Sequence, residues 1–216
     1  MRYSPVLIYV ITGVVFLSLA ASIDWQTQAG ILRDCVLLVW GISLVNLLYL
    51  GGGLNRLLAI RPRHIWGLLG IPFAPFLHTG MGHLIANTLP FLILGWFVML
   101  HAAESFLPIS ALIVVIGGLG TWLMGRDCNH IGASGVVFGY LGYLVAMGYI
   151  EATVLAIMIT LMVILIYGNQ FLSMLPSQEN ATISWEGHLF GFLGGVVAAY
   201  DPDLAEQLWV WLQQLA

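Results

Sequence analysis

The residues of this chain best suited to chemistry are a serine and a histidine in apolar segments far apart in the sequence. Ser134 stands in IGASGVVFGY, between Gly132 and Gly135, and His188 stands in EGHLFGFLGG. A serine hydroxyl becomes a useful nucleophile when an imidazole within hydrogen-bond reach takes its proton. The pair therefore predicts acyl-transfer chemistry, with Ser134 as nucleophile and His188 as general base and then acid.

A second polar pair, His83 and Asn87, opens another apolar segment in the sequence HLIAN. Residues four apart lie on one face of a helix, so both side chains point the same way. Polar side chains at membrane depth are costly unless they face a bundle interior or a water-filled cavity. Near the nucleophile, they would supply donors for a tetrahedral oxyanion. Taken alone, the pair is explained equally well by hydrogen bonds that only fasten helices together.

Small residues accompany the candidate nucleophile and base. Gly135 and Gly139 are four apart, and so are Gly191 and Gly195 in the histidine segment. This spacing puts each pair on one helix face, where a neighbouring backbone approaches closely. We expect the two helices to pack near enough for the imidazole nitrogen to reach the serine oxygen at ~3 Å. For the serine segment alone, plain helix packing with the hydroxyl bonded to its own backbone is the alternative.

Composition predicts an all-α polytopic membrane protein. Hydrophobic residues make up 60% and charged residues 7% of the 216 residues, with a mean hydropathy of +0.97, whereas a soluble domain carries roughly 25% charged residues. The six basic residues are all arginines and form no nucleic-acid footprint, so no nucleic-acid partner is expected. Cys35 and Cys128 are isolated, without CxxC spacing, so neither a metal site nor a disulfide is predicted. No cofactor is expected.

Uncharged runs, measured against a hydrocarbon core of roughly 30 Å, predict seven membrane spans. They cover residues 3–23, 35–55, 83–100, 105–125, 131–150, 152–170 and 187–200. The last span rises only ~21 Å as a helix, so it must include the polar approach before it, thin the bilayer, or both. The first span has a cleaved signal peptide as its alternative, although its apolar run is longer than the roughly 7 to 15 residues usual there.

The order of the spans puts the candidate site residues on one side of the membrane. The spans that begin near His83, Ser134 and His188 are separated by one intervening span each, so they run in the same direction. No linker or repeat divides the spans, so they form one membrane domain, followed by an interfacial amphipathic tail (204–216).

The motifs HLIAN, GASG and HLFGFLGG, in this order and on alternate spans, resemble those of the rhomboid intramembrane serine proteases. The resemblance covers roughly residues 35–200 and implies a six-helix core that cleaves transmembrane protein substrates in a cavity open to water on the extracytoplasmic side. It also implies that the membrane domain consists of an extra N-terminal transmembrane helix (1–30) and a rhomboid-like catalytic membrane core (31–203). It implies a dyad of Ser134 and His188, an oxyanion hole of His83, Asn87 and the Ser134 amide, and a supporting motif of Gly132, Gly135, Phe138, Gly139, Gly191 and Gly195. The short soluble extensions favour a prokaryotic plasma membrane, where membrane lipids surround the protein.

Two departures from the family pattern affect what the resemblance implies. Phe138 stands where many rhomboids have a tyrosine stacked on the catalytic histidine, so its ring can stack there but cannot form a phenolic hydrogen bond. The Trp-Arg pair often seen in the first loop is missing, and Arg61 and Arg63 are the residues that could substitute for it.

The connection 51–82 carries three arginines and three prolines in an apolar setting, and is expected to be interfacial, partly embedded and built of short helices. The positive-inside bias would place its arginines in the cytoplasm, against the family orientation. We expect the family orientation, because a folded loop with arginines at headgroup phosphates evades a rule derived for simple loops.

No acidic third member of a triad is evident. Asp127 is expected in an aqueous loop and Glu186 at the wet mouth of the site, while His130, four residues before the serine, is a minor rival as base. His78 could line the cavity.

Other functions fit the sequence less well. An HExxH metalloprotease motif is absent, the aspartates fall at span boundaries, and no inverted repeat suggests a transporter. The serious rival is a catalytically silent rhomboid-like protein that binds transmembrane helices without cutting them. No motif encodes the substrate, the cleavage position or the oligomeric state.

Overall fold

The computed structural model describes residues 25–176 and 184–215, and its regular structure there is helical apart from one isolated β-bridge. The described helices are α1 (Trp25–Leu48), α2 (Gly53–Leu57), α3 (Gly70–Phe73), α4 (Met81–Ala102), α5 (Phe106–Met124), α6 (Ser134–Ile150), α7 (Val154–Tyr167), α8 (Trp185–Tyr200) and α9 (Pro202–Leu215). Turns of 3-10 helix cover Ile65–Leu69, Ala74–Phe76 and Gly168–Met174. The predicted all-α class is confirmed, while the predicted span 3–23 and its signal-peptide alternative lie outside the described residues.

Within residues 25–176 and 184–215, four helical stretches are long and apolar enough to cross a membrane. They are α1, α4, α5 and the continuous stretch Val154–Met174, which joins α7 to the 3-10 turns after it. α6 and α8 hold only 17 and 16 residues, which rise ~26 and ~24 Å against a core of ~30 Å. If the C-terminal ends of α6 and α8 lie at one membrane surface, the first turns of both helices lie inside the membrane, below the opposite surface. Ser134 and His188 stand in those first turns.

The first described helix differs from its predicted span, 35–55, because α1 starts and ends earlier in the chain. Arg33 and Asp34 form a 2.8 Å ion pair at an exposed position, so the helix passes through charges that a hydropathy reading takes as an edge. Gly51 and Gly52 follow it with φ of 54° and 76°, a conformation that glycine adopts most readily and that ends helices. The expected domain boundary at residue 30 falls within α1.

α6 and α8 pack backbone to backbone at their glycines. A methyl group added at Gly191 would overlap the carbonyl of Gly135, and one added at Gly195 would overlap the carbonyl of Gly139. Only glycine permits this approach, which small residues typically provide between membrane helices. The packing brings the first turns of the two helices side by side.

The connection between α1 and α4 folds into short helical pieces, as expected, and supports the loop before α6. Ile60 and His130 exchange backbone hydrogen bonds of 3.1 and 3.0 Å. The amide of Gly132 donates to the carbonyl of Ala74 at 2.9 Å. The backbone just before Ser134 is therefore fixed by residues more than fifty positions earlier in the chain.

Two of the three arginines of this connection bind the same loop. Arg61 donates to the side-chain oxygen of Asn129 at 3.0 Å, and Arg63 donates to the carbonyl of Gly125 at 2.8 Å. Both guanidinium groups thus contact protein acceptors, where the sequence analysis expected lipid phosphates. Together they tie the first connection to the loop that leads into α6.

α9 lies against the start of α5. It begins after Asp201, whose carboxylate accepts a backbone hydrogen bond of 3.1 Å from Leu204. Ala205 is buried, and the hydroxyl of Ser105 donates to Glu206 at 2.6 Å. The segment predicted as a surface tail is therefore a helix attached to the bundle.

Candidate active site

Ser134, His188, His83 and Asn87 line one cavity of about 630 Å³. Ser134 is the first residue of α6 and is partly exposed there. Gly132, two residues earlier, has φ of 116°, in the region that L side chains rarely adopt. The structure thus brings together the four polar residues that the sequence analysis selected from three separate segments.

His83 and Asn87 converge on the backbone just before the serine. A Cβ at Gly132 would lie 2.8 Å from Cε1 and 2.9 Å from Nε2 of His83, and 3.7 Å from Nδ2 of Asn87. Nδ1 of His83 pairs with the hydroxyl of Thr79 at 3.2 Å. Nδ2 of Asn87 is buried without a hydrogen-bond partner among the described residues. A buried amide donor without a partner in the described part of the chain is available to a ligand in the cavity.

His188 lies in the first turn of α8, with its ring held against Phe138. The two rings are stacked, with centroids 4.1 Å apart and planes 13° from parallel, an arrangement that the sequence left possible. His188 is buried, with 8% of its surface exposed. The stacking fixes the plane of the imidazole, which limits the directions in which its two nitrogens can point.

The hydrogen bonds of the His188 ring go to a residue that the sequence analysis missed. Nδ1 lies 3.0 Å from Oγ and 3.2 Å from the carbonyl oxygen of Ser173. Ser173 belongs to the 3-10 turns that follow α7. In the sequence FLSML nothing distinguishes this serine from one that packs among lipid-facing residues, so no local signal could have found it.

In this conformation no hydrogen bond joins Ser134 to His188 within the described part of the chain. Both residues line the same cavity, and catalytic hydrogen bonds are often long before substrate binds. The candidate nucleophile and the candidate base therefore share one cavity, but no hydrogen bond joins them in the described part of the chain.

Glu186 differs from its expected place at a wet mouth. It is fully buried, and its carboxylate accepts from Nε and Nη2 of Arg126 at 2.7 and 3.2 Å and from the Arg126 amide at 2.9 Å. A buried carboxylate requires such a paired, hydrogen-bonded environment. Hydrogen bonding to this carboxylate raises the pKa of Arg126. The pair links the loop before α6 to the start of α8, two residues from His188.

His130 has structural contacts on both ring nitrogens. Nδ1 pairs with the hydroxyl of Ser184 at 2.7 Å, and Nε2 pairs with the carbonyl of Arg126 at 3.0 Å. Ser184 in turn caps α8 by accepting from the amide of Gly187 at 3.2 Å. These contacts occupy the imidazole that was the minor rival as general base, and they join the same two segments as the Arg126 ion pair.

His78 is buried beside the site and borders a second, apolar cavity of about 560 Å³. Its ring lies edge-on to that of His83 at 5.0 Å, and its Nδ1 pairs with the hydroxyl of Ser43 at 3.0 Å. Burial, and then the neighbouring His83, lower the pKa of His78 to about 4. The His78 ring that contacts His83 is therefore neutral at neutral pH.

A family model for the Rhomboid domain matches residues 62–201. The chain belongs to the rhomboid family. The match includes the four candidate site residues His83, Asn87, Ser134 and His188. Family membership and the four long apolar helices of the described residues show that this rhomboid is an integral, multi-pass membrane protein.

Similar proteins come from bacteria and a plant. An uncharacterized protein of Mycobacterium tuberculosis is 38% identical over 183 residues, which are 82% of this chain and 75% of that protein. RHOMBOID-like protein 4 of Arabidopsis thaliana is 30% identical over 76% of this chain and 40% of its own. YdcA of Bacillus subtilis, whose name includes the words rhomboid protease, is 29% identical over 57% of this chain and 62% of its own. No solved structure matches this rhomboid. Membership of the family supports an intramembrane protease function.

Proposed function

We propose that this rhomboid is an intramembrane serine endopeptidase that cleaves transmembrane helices with a dyad of Ser134 and His188. One observation carries the proposal. The serine, the histidine and the amide of Asn87, which has no partner among the described residues, line a single cavity. Ser134 and His188 stand at the starts of helices too short to reach both membrane surfaces. A peptide bond lowered into this cavity would meet a nucleophile, a base and an oxyanion donor together.

The proposed reaction divides hydrolysis into two acyl-transfer steps. His188 takes the proton of Ser134 as Oγ attacks the carbonyl carbon of the peptide bond, giving a tetrahedral intermediate. The intermediate collapses when His188 returns the proton to the leaving amine, so the C–N bond breaks and an acyl-enzyme remains. Water, deprotonated by the same imidazole, then attacks the ester and releases the carboxylic acid product and free Ser134.

The oxyanion of each intermediate is assigned to three donors. These are Nδ2 of Asn87, the side chain of His83 and the backbone amide of Ser134. Support comes from the position of the His83 ring and the Asn87 amide against Gly132, and from the lack of another partner for Nδ2 in the described residues. Loss of one such donor costs about 10²- to 10³-fold in kcat in other serine proteases.

The proposed partners are transmembrane protein substrates and the surrounding membrane lipids, with no nucleic acid involved. Substrate helices that contain Gly, Ala or Pro near the cut are the expected class, because Gly and Pro weaken a helix and Gly and Ala are small. The proposed location is a prokaryotic plasma membrane, with the cavity open on the extracytoplasmic side. The mycobacterial relatives support the prokaryotic assignment.

The open gap between Ser134 and His188 favours one second candidate, a silent rhomboid that binds transmembrane helices without cutting them. It predicts an unreactive serine, because an isolated hydroxyl is a poor nucleophile at neutral pH. The two candidates therefore differ in a property that is measurable without knowing the substrate.

The deciding experiment is labelling of the purified protein with a fluorophosphonate serine probe, beside an active rhomboid as positive control. We expect labelling of the wild type and its loss in both Ser134→Ala and His188→Ala. Ser105→Ala and His64→Ala, which change residues outside the cavity lining, serve as matched controls and should label like the wild type. If the positive control labels and the wild type does not, the protease proposal fails and the helix-binding candidate replaces it.

A further inference from the structure

We propose that Ser173 is the residue that orients the catalytic base, by accepting the Nδ1 proton of His188 on two oxygens at once. The inference rests on the proposed function and adds a positioning residue to it. The contacts are short for both acceptors, 3.0 Å to Oγ and 3.2 Å to the carbonyl oxygen. They come from a segment fifteen residues before the histidine in sequence.

The hydroxyl of Ser173 can act only as an acceptor toward the imidazole. Its single proton is used in a 2.7 Å hydrogen bond to the carbonyl oxygen of Gln170. A carbonyl oxygen has no proton to give. Both groups that face Nδ1 therefore need a donor, and the ring satisfies them only if Nδ1 carries the hydrogen. This fixes one tautomer of the neutral imidazole from the surrounding bonds.

The tautomer matters because it leaves the lone pair on Nε2, the nitrogen available to take the proton of Ser134. In a serine triad an aspartate sets this tautomer and stabilises the imidazolium. Here two neutral oxygens of one serine do the first task and contribute to the second, since a charged donor strengthens its hydrogen bonds. The rhomboid dyad of this chain thus has a third, uncharged member.

The segment that carries Ser173 is held firmly enough to position a ring. Gly168–Met174 continues α7 as 3-10 turns, and Phe171 within it packs edge-on against Phe192 of α8 at 5.7 Å. Phe138 stacks on the imidazole of His188 and fixes the plane of the ring. The plane of the imidazole is therefore set by α6, and its tautomer by the 3-10 turns that follow α7.

The first test compares fluorophosphonate inactivation kinetics of the full-length protein and three variants. Ser173→Ala removes one of two acceptors, so kinact should fall about 3- to 10-fold, the effect of one neutral hydrogen bond, with KI unchanged. Ser173→Thr keeps the hydroxyl and should restore kinact. Asn169→Ala changes an exposed side chain of the same segment and should match the wild type. Wild-type kinact in Ser173→Ala, or an effect confined to KI, overturns the proposal.

The second test reads the tautomer directly and does not require activity. In ¹⁵N-histidine NMR spectra, assigned by the signals lost in His188→Ala, the neutral ring should carry its proton on Nδ1. Ser173→Ala should increase the fraction protonated on Nε2. A wild-type ring protonated on Nε2 overturns the inference even if the protein is an active protease. A ring protonated on Nδ1 supports it even if labelling fails, in which case only the protease proposal falls.

Discussion

At the scale of single residues, two buried asparagines illustrate the difference between holding the fold and preparing a site. Asn46 uses both the nitrogen and the oxygen of its carboxamide, donating to Asn55 at 2.8 Å and accepting from the amide of Leu54 at 3.0 Å. Asn87 leaves Nδ2 unpaired among the described residues. A buried donor without a partner costs stability, and this cost is understandable where a ligand or reaction intermediate supplies the acceptor.

We expect Asn87→Ala to lower kcat by about 100-fold or more while leaving the thermal midpoint in detergent unchanged or slightly raised, because the lost donor has no partner in the described fold. Asn46→Ala is the matched control. It should lower the midpoint, since it leaves two partners unpaired, and should affect kcat much less. Peptide cleavage and thermal unfolding measured on the same preparations test both statements. An Asn87→Ala variant that cleaves normally would remove this side chain from the oxyanion site.

At the scale of helices, the site depends on how closely α6 and α8 approach. Each begins with a candidate catalytic residue in its first turn, and each is shorter than a bilayer-spanning helix. The glycine contacts between them, rather than large interlocking side chains, set the separation of the two first turns. A small change in this contact is therefore expected to alter both stability and the serine–histidine distance.

Gly191→Ala should destabilise the protein by about 1–3 kcal/mol, the usual cost of overpacking, and should reduce fluorophosphonate labelling of Ser134, because the added methyl group meets the Gly135 carbonyl. The control is Gly41→Ala on the exposed face of α1, where a Cβ has nothing within 4 Å. That variant should be neutral or slightly more stable. Equal stability and labelling in the two variants would contradict the argument.

At the scale of the whole molecule, three separate stretches of chain are joined around the cavity mouth. The first connection binds the loop before α6 through the Ile60–His130 bridge and Arg61. That loop binds the start of α8 through the pair of Arg126 and Glu186. Hydrogen bonds and an ion pair thus join the three stretches into one rim around the cavity mouth. The three stretches therefore lie on the same side of the membrane.

Orientation can be measured at Cys128, an exposed cysteine on this rim. In a Cys35→Ser background, a membrane-impermeant maleimide should label Cys128 on intact cells if the cavity opens outside the cytoplasm. Partial burial raises the pKa of this thiol, and the thiolate is the reactive form, so labelling should increase about tenfold per pH unit below that pKa. Labelling that requires permeabilised cells would reverse the proposed orientation and would favour the positive-inside prediction for Arg56 to Arg63.

The sequence by itself determined the membrane class, most helix positions and four of the polar residues that line the cavity. Those conclusions depend on local properties: apolar run length, the four-residue period that pairs His83 with Asn87, and glycines at helical spacing. The tertiary structure alone decided the partner of the imidazole, the burial of Glu186 and the support of the loop before Ser134. These contacts join residues far apart in the chain, so no period or composition encodes them. Ser173 becomes an orienting residue only because packing places its two oxygens against His188.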